Sequence, residues 1–258
     1  MNNEIFDTHS HYNDEAFDDD REEVLKSLPS QNIFAVIDNG GNIESSQKAV
    51  ELSKKYPYIY AAVGFHPEYL NNEKVDLDFL VSHLENLINN EKVVAVGEIG
   101  LDYHFNSDNK DIQKEVFEEQ IKVALEHNLP VVVHDRDAHG DTLEILKKYK
   151  PQGVVHCFSG SLEMAREILK IGMSLGIGGV VTFKNAKSIV EVVKNVPMSS
   201  IILETDAPYL APTPLRGKRC ISPYIEYTAQ KVAEIKNISL KDVLETTKNN
   251  AIQLFGIK

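Results

Sequence analysis

The sequence predicts a single-domain (β/α)8 TIM barrel, an α/β fold in which parallel strands alternate with helices. Short β-branched runs alternate with amphipathic stretches throughout, and the 258 residues are a length typical of one such barrel. The strands are continuous apolar runs, as expected for a sheet covered on both faces. The alternative is an open doubly wound sheet, but no glycine-rich phosphate-binding fingerprint follows the first strand. No internal repeat or linker interrupts the chain, so we predict one domain over residues 1–258.

The predicted strands follow the β-branched runs in order. They cover residues 5–8, 33–37, 59–63, 93–96, 131–133, 153–155, 173–177 and 201–203. The first helix is expected to start at the acidic run 18–20, because carboxylates stabilise the N-terminal end of a helix dipole. Apolar spacing predicts further helices at 42–56, 75–90, 111–127, 141–150, 162–171 and 187–194, and two more in the tail at 223–235 and 240–255. In the helix of 111–127, Ile112, Val116, Phe117, Ile121 and Leu125 share one face.

Composition and charge restrict the function classes. The net charge of −12, from 27 basic and 39 acidic residues, counts against a broad non-specific nucleic-acid binder. It leaves room for an enzyme that handles an anionic substrate through bound cations. No apolar run is long enough for a membrane span, and residues 1–5 lack the features of a signal peptide. Cys157 and Cys220 show no paired spacing, so we expect a reduced, cytoplasmic protein with no membrane association.

Residues 6–11 (FDTHSH) end the first apolar run and carry the first chemical signal. Alternate side chains of a strand point to the same face, so His9 and His11 offer two imidazole nitrogens on one side. Such a pair is typical of a metal site, although a bare H-x-H also occurs as two unrelated surface histidines.

Further potential ligands recur where later strands end. In a barrel these ends converge on one mouth, where the active sites of this architecture lie. The residues at the predicted strand ends are His9, His11, His66, Glu98, His134, His156 and Asp206. By contrast His83 and His127 fall within predicted helices, and we expect them at the surface.

The ligand types indicate two divalent cations. Imidazole with carboxylate suits Zn, Mn, Fe or Ni better than an oxygen-only magnesium cage. Four histidines (His9, His11, His134, His156) with Glu98 and Asp206 exceed what one tetrahedral ion needs, and match two ions bridged by Glu98. His9, His11 and Asp206 are then expected on one ion and His134 and His156 on the other, with Asp206 also able to accept a proton from water. Each residue also has an alternative role. Glu98 could form a structural ion pair, His134 and His156 could be buried histidines whose hydrogen bonds are satisfied, and Asp206 could cap a helix.

The motifs of this chain, taken in order, resemble those of the TatD family of metal-dependent deoxyribonucleases. The residues that carry the resemblance are 6–11 (FDTHSH), 64–67 (GFHP), 97–103 (GEIGLDY), 133–136 (VHDR), 156–160 (HCFSG) and 203–210 (LETDAPYL), with Asn250, Ala251, Leu254 and Phe255 near the C-terminus. The resemblance therefore covers essentially the whole chain.

This resemblance implies an amidohydrolase-like barrel with two divalent cations (Mg, Mn, Zn or similar). It implies hydrolysis of phosphodiester bonds in DNA, with 3′→5′ exonuclease activity on single strands. It also implies that His9, His11, Glu98, His134, His156 and Asp206 are the metal ligands, and that His66 contacts the scissile phosphate. The alternative for His66 is an ordinary loop residue in a backbone conformation that Pro67 fixes.

One segment departs from the family pattern. After Arg219 the family often continues Asn-Glu-Pro, whereas this chain reads Cys220-Ile221-Ser222 before Pro223. An amide and a carboxylate are therefore missing, which puts substrate contacts of this loop in doubt.

The predicted reaction is hydrolysis by a metal-activated water, with Asp206, Glu98 and His66 as the catalytic residues. Local positive charge for the phosphate backbone would come from Arg136, Arg216, Lys218 and Arg219. Base stacking could involve Tyr103 and Phe158, although a role in packing is the stronger expectation for both. The rival function is hydrolysis of a small ester, amide or lactone, or aminoacyl-tRNA deacylation, because the same ligands serve carbonyl and phosphoryl centres. The third hypothesis is a non-enzymatic scaffold in which the metals are structural. No segment of the sequence indicates a stable protein partner.

Overall fold

The protein is described by a computed structural model that covers residues 4–70, 75–105 and 107–257. The first three residues, part of the segment expected to lack a signal peptide, lie outside the described residues. Eight strands form one parallel sheet in the order of the chain. The strands are β1 (Ile5–Ser10), β2 (Ile33–Asn39), β3 (Ile59–Val63), β4 (Val93–Asp102), β5 (Val131–Arg136), β6 (Gly153–Val155), β7 (Ser174–Ile177) and β8 (Ile201–Leu203). The predicted TIM barrel is thereby confirmed.

Helices surround the sheet. They are α1 (Arg21–Ser27), α2 (Ile43–Lys55), α3 (Leu77–Ile88), α4 (Lys110–Glu126), α5 (His139–Tyr149), α6 (Leu162–Lys170), α7 (Lys187–Asn195), α8 (Ile225–Lys236) and α9 (Leu240–Phe255). Within the ranges that the structure covers, no helix is long and apolar enough to cross a membrane.

The core has two layers. The larger layer lies between strands and helices and includes Ile59, Val131 and Phe117. The smaller layer takes one or two residues from every strand except β7, among them Phe6 and Val132, and is closed by Phe255 at the end of α9. Because alternate strand residues face opposite sides, the smaller layer fills the barrel and blocks one end, leaving a site at the other.

The seam between β8 and β1 closes the barrel with little backbone pairing. One isolated bridge joins Ser10 to Ala207, and the Thr8 hydroxyl donates to the Leu203 carbonyl at 3.0 Å. The Asp7 carboxylate accepts hydrogen bonds from the Thr205 backbone N–H at 3.0 Å and from the Thr205 hydroxyl at 2.7 Å. Side chains of β1 therefore replace the missing strand ladder.

The structure corrects the predicted ends of several elements. β1, β2, β4 and β5 continue two to six residues beyond their predicted ends, since polar residues near these ends stay in the sheet. Helix α1 begins at Arg21, just after the acidic run, and Asp20 instead pairs with Arg219. Leu125, expected on the buried face of α4, is exposed, because it lies in the last turn. His83 is only partly exposed and stacks on Phe79, whereas His127 lies at the surface as expected.

Candidate metal centre

The predicted site residues meet at the open end of the barrel. A pocket of about 420 Å³ lies there, and it is lined by six of the seven: His11, His66, Glu98, His134, His156 and Asp206. The seventh, His9, is fully buried directly behind them. The convergence of strand ends expected from the barrel therefore brings all seven side chains into one cluster.

One half of the cluster lies at the β8–β1 seam. The Nε2 atoms of His9 and His11 are 3.0 Å apart, because alternate residues of β1 share a face. Asp206 follows β8, and its Oδ1 lies 3.7 Å from His9 Nε2 and 3.4 Å from His11 Nε2. These three donor atoms are close enough to share one cation.

The other half lies at the ends of β3 to β6. Oε1 of Glu98 on β4 is 2.9 Å from Nδ1 of His134 on β5 and 2.8 Å from Nε2 of His156, which follows β6. His66 Nε2, from the loop after β3, lies 3.4 Å from the same oxygen. Gly100 permits the close approach of β4 to β5, since its φ is +145° and a Cβ there would lie 2.0 Å from the His134 carbonyl oxygen.

Glu98 joins the two halves. Its Oε1 faces His134 and His156, while its Oε2 lies 3.3 Å from His9 Nε2 and 3.5 Å from His11 Nε2. One carboxylate thus presents one oxygen to each half.

Partners outside the cluster determine which nitrogen of two histidines is free to bind a metal. His11 Nδ1 lies 2.9 Å from the Asn39 carbonyl, and His134 Nε2 lies 3.0 Å from the Asp102 carboxylate. Both partners only accept hydrogen bonds, so these nitrogens carry the ring protons. The unprotonated nitrogens, His11 Nε2 and His134 Nδ1, therefore point into the cluster.

His66 has the opposite arrangement. Its Nδ1 accepts a hydrogen bond from the backbone N–H of Glu68 at 3.2 Å, and burial lowers the pKa of the ring. The neutral ring consequently holds its proton on Nε2, which faces the cluster. His66 thus presents a hydrogen-bond donor where His11 and His134 present lone pairs.

The cluster fits divalent cations. Unprotonated nitrogens of His11 and His134 lie within 3.5 Å of Glu98 oxygens, so lone pairs face lone pairs unless a positive charge lies between them. Burial alone lowers the pKa of His11, yet Asp206, Glu98 and the Asn39 carbonyl together outweigh it and raise that pKa to about 10, so without a cation the ring itself would take up a second proton, on Nε2. A positive charge is therefore favoured at this position. Imidazole and carboxylate together are the donor set of transition-metal sites.

The pocket around the cluster is acidic. Five carboxylates line it, those of Asp14, Glu68, Glu98, Asp102 and Asp206, and Arg136 is its only Lys or Arg among the described residues. An anionic substrate would be repelled from such a pocket unless cations offset these charges. The charge balance therefore points to the same requirement for cations as the donor geometry.

Three carboxylates around the centre were not assigned a role from the sequence. Asp102 fixes the His134 ring, and Asp7 holds the seam. Glu204 accepts a hydrogen bond from the Cys157 backbone N–H at 2.5 Å and lies 3.8 Å from His156 Nδ1. Burial raises the pKa of Glu204 to about 8. All three lie within motifs already quoted, two to four residues from a predicted ligand, and this proximity was the available signal.

The structure separates the expected substrate contacts into those in the pocket and those outside it. Arg136 lines the pocket, whereas Arg216 lies over the Phe183 ring and Lys218 is exposed outside the pocket lining. Arg219, expected to supply positive charge for the phosphate backbone, forms a two-pronged ion pair with Asp20 and lies outside the pocket lining.

The two candidates for base stacking do not line the pocket either. Phe158 is buried, and the Tyr103 hydroxyl donates to Asp141 at 2.6 Å, so both serve packing. The aromatic side chains that do line the pocket are Tyr69, Phe105 and Tyr209.

The departing segment 220–222 lies behind the site. Cys220 and Ser222 are fully buried, and the Ser222 hydroxyl donates to Asp7 Oδ2 at 2.7 Å. Ser222 also contacts the Tyr12 hydroxyl at 2.8 Å. In this chain the segment supports the seam and makes no contribution to the pocket lining.

Comparison with known proteins agrees with these observations. The family described as TatD related DNase matches residues 6–256. An uncharacterized metal-dependent hydrolase, YabD of Bacillus subtilis, is 43% identical over 98% of this chain and 99% of its own. Another, MG009 of Mycoplasma genitalium, is 37% identical over 98% and 99% of the two chains. The crystal structure of YjjV, a TatD homologue from Escherichia coli, superposes with a TM-score of 0.92 at 29% identity, and covers 100% of both chains. The chain therefore belongs to the TatD family of metal-dependent hydrolases.

Proposed function

We propose that this hydrolase cleaves phosphodiester bonds of DNA and removes nucleotides from the 3′ ends of single strands. The observation that carries the proposal is the placement of Glu98 between two groups of nitrogen donors, beside the outward N–H of His66. The family description as DNases supports DNA as the substrate. The 3′→5′ direction follows from the resemblance of the motifs to this family.

The residues of the cluster would hold two divalent cations. His9, His11 and Asp206 would hold one, His134 and His156 the other, and Glu98 lies between the two groups and could serve both. When bound, such cations lower the pKa of water and neutralise charge on a phosphate. Mn, Zn or Mg would each supply this chemistry, with the nitrogen-rich donor set favouring the transition metals.

Asp206 and His66 supply the proton chemistry at the pocket wall. The Asp206 side chain is 17% exposed, compared with 5% for Glu98, and therefore lies within reach of water. Burial raises the pKa of Asp206, but the hydrogen bond with His11 and the nearby charges of His9, His11 and His156 together outweigh it and hold the pKa below its ordinary value. Asp206 is thus ionised at neutral pH and can accept a proton from water. The His66 Nε2–H group donates a hydrogen bond to a non-bridging phosphate oxygen.

The size of the pocket favours a single strand. Its volume of about 420 Å³ is that of a small-ligand site, which suits a single nucleotide or a strand end better than a whole duplex. A frayed or single-stranded end would therefore be the form that reaches Glu98.

The proposed enzyme acts in the cytoplasm and without a stable protein partner. Cys157 and Cys220 are both free thiols, which suits a reducing compartment. Fractionation of the source cells, with the protein detected by antibody, checks this location.

The test is degradation of single strands labelled at either the 5′ or the 3′ end. The metal-loaded protein is assayed, then chelated, and then assayed again with Mg, Mn or Zn restored. We expect 5′-labelled strands to give a ladder that shortens from the 3′ end, and metal to restore the activity.

Glu98→Gln is the matched variant, because it keeps the shape of the side chain and removes its charge. We expect Glu98→Gln to lower the rate of cleavage by about 10³-fold, because the variant loses several kcal/mol of transition-state stabilisation. Absence of cleavage with every metal, in wild-type protein that holds two ions, would overturn the proposal. Ester, lactone and aminoacyl-tRNA substrates would then be assayed, since the same ligands serve carbonyl centres.

A further inference from the structure

We propose that Tyr69, Phe105 and Tyr209, here called the aromatic rim, form a stacking surface for unpaired nucleobases of the substrate. This inference rests on the proposed function, because it specifies how a DNA strand is bound beside the cluster. It assigns a base-binding role to three residues from three separate loops.

The exposed hydrophobic side chains of this protein are concentrated at the pocket. Among the described residues, eight large hydrophobic side chains are exposed, and four of them line this pocket: Tyr69, Phe105, Tyr209 and Leu210. The rings of the aromatic rim are 60%, 59% and 53% exposed, respectively. Exposed hydrophobic groups that gather at one pocket indicate a binding surface, whereas scattered ones do not.

Each ring of the rim is held in place by its neighbours. The Tyr209 hydroxyl donates to Asp14 Oδ2 at 2.9 Å, and Phe105 lies 4.5 Å from the Arg136 guanidinium. Tyr69 meets the ring of His66 edge-on, with 6.3 Å between the ring centres. Rings that are already fixed lose little side-chain entropy when a base stacks on them.

The rim also lies beside the cluster. Tyr209 meets the ring of His11, with 6.4 Å between the ring centres, and Tyr69 is next to His66 as described. A nucleotide whose phosphate lies at the cluster would therefore bring its base, or the adjacent one, to the rim.

Charge favours a base over the backbone as the group bound here. The pocket lining carries five carboxylates and a single Arg or Lys, Arg136, among the described residues. Such a surface repels the phosphates that lie beyond the metal cluster, so the remaining affinity has to come from uncharged parts of the strand. Every base has a π-face that stacks on an aromatic ring, and this face is free in a single strand but covered in a duplex.

The test measures binding of two short single strands of equal length and charge to the metal-loaded, full-length protein. Both have hydrolysis-resistant phosphorothioate linkages, and one lacks bases at the 3′-terminal positions. We expect the strand with bases to bind more tightly by about 5- to 150-fold, the range of one stacked base. Phe105→Ala and Tyr209→Ala should each remove most of this preference, while Phe105→Tyr should keep it.

The chain provides matched controls. Phe79 and Tyr227 are exposed aromatic residues outside the pocket lining, so Phe79→Ala and Tyr227→Ala should leave the preference unchanged. Equal binding of the two strands by the wild type, or an unchanged preference in both rim variants, would overturn the inference. A preference that the rim variants lose, in a protein that cleaves no phosphodiester with any metal, would support the base-binding rim and refute the proposed deoxyribonuclease.

Discussion

Two pairs of neighbouring strands position opposite halves of the candidate metal centre. β4 and β5 carry Glu98 and His134, and their backbone ladder continues past both residues to the pair Asp102–Arg136. Asp206 follows β8 and the His9–His11 pair lies at the end of β1, but a single isolated bridge, from Ser10 to Ala207, joins these two segments.

The seam compensates with buried side chains. Asp7 accepts hydrogen bonds from Thr205 and Ser222, while the Asp206 N–H donates to the His9 carbonyl at 2.9 Å. The comparison indicates that backbone pairing places the ligands of one half and a buried carboxylate places those of the other. Single side-chain substitutions should therefore have different consequences in the two halves.

The largest expected effect is that of Asp7→Ala on stability. The substitution removes the acceptor of the Thr205 N–H and the nearest acceptor of two buried hydroxyls, those of Thr205 and Ser222. The Thr205 hydroxyl keeps only a longer contact of 3.3 Å to the His9 carbonyl. An unpaired buried donor costs about 1–3 kcal/mol, so the free energy of unfolding should fall by about 3 kcal/mol or more. Urea denaturation monitored by circular dichroism measures this change.

Ser222→Ala is the graded control, because it keeps the carboxylate and removes one of its bonds. We expect it to cost about 1 kcal/mol. If Asp7→Ala is no less stable than Ser222→Ala, the seam is not held by this carboxylate.

The corresponding substitution on the other side, Asp102→Asn, should impair metal binding with little effect on stability. Asp102 Oδ1 accepts the N–H groups of His104 and Phe105 at 2.9 Å each, so the new amide nitrogen would face His134 Nε2. The ring proton of His134 is then forced onto Nδ1, against Glu98. Loss of such a partner lowers metal affinity or activity by about 10–100-fold.

Metal titration and kcat measurements check this expectation, and urea denaturation of the same protein checks its fold. A loss of stability as large as that of Asp7→Ala, with metal affinity intact, would contradict the distinction between the two halves.

The smallest expected effect is on the pH dependence of stability. Burial raises the pKa of Asp7 to about 6 from 3.8, so the folded state binds the proton more tightly than the unfolded state. Stability therefore rises as pH falls through 6, and between pH 7 and pH 5 the wild type should gain about 1 kcal/mol over Asp7→Asn.

Asp102 provides the contrast. Burial raises its pKa, but the hydrogen bond and charge of His134, together with the backbone N–H groups of His104 and Phe105, outweigh it and hold the pKa at about 2. The stability due to Asp102 is present above pH 3.8 and is lost only as pH falls towards 2. The titration of Asp102 itself therefore adds no change in stability between pH 7 and pH 5, in contrast to the titration of Asp7. Equal pH dependence of the two variants would refute the distinction.

Most of the fold could be predicted because its signals are local. Each strand of the barrel contains a β-branched run, and β3, β6 and β8 have the predicted bounds. The strands that carry site residues extend further than predicted, as β4 does to Asp102. Their polar residues remain in the sheet because the side chains find partners in the cluster, and these partners come from distant parts of the sequence.

The location of the candidate site could be predicted from residues at the ends of strands, such as His9, His134 and Asp206. The roles of these residues as metal ligands stay a prediction. The rest depends on contacts between distant residues. The bond between Asp7 and Ser222 joins positions 215 residues apart, and no spacing in the sequence indicates it. Loop exposure is equally hidden, so Tyr103 and Phe158 were considered for stacking while Phe105 was not.

The central claim is that two half-sites share Glu98, and the metal content per chain tests it most directly. Inductively coupled plasma mass spectrometry would be applied to the wild type, to the seam variant His11→Ala and to the β5 variant His134→Ala. We expect two ions per chain in the wild type and one in each variant, because each substitution removes a ligand from one half only. A single ion in the wild type, or loss of both ions in both variants, would contradict two separate half-sites.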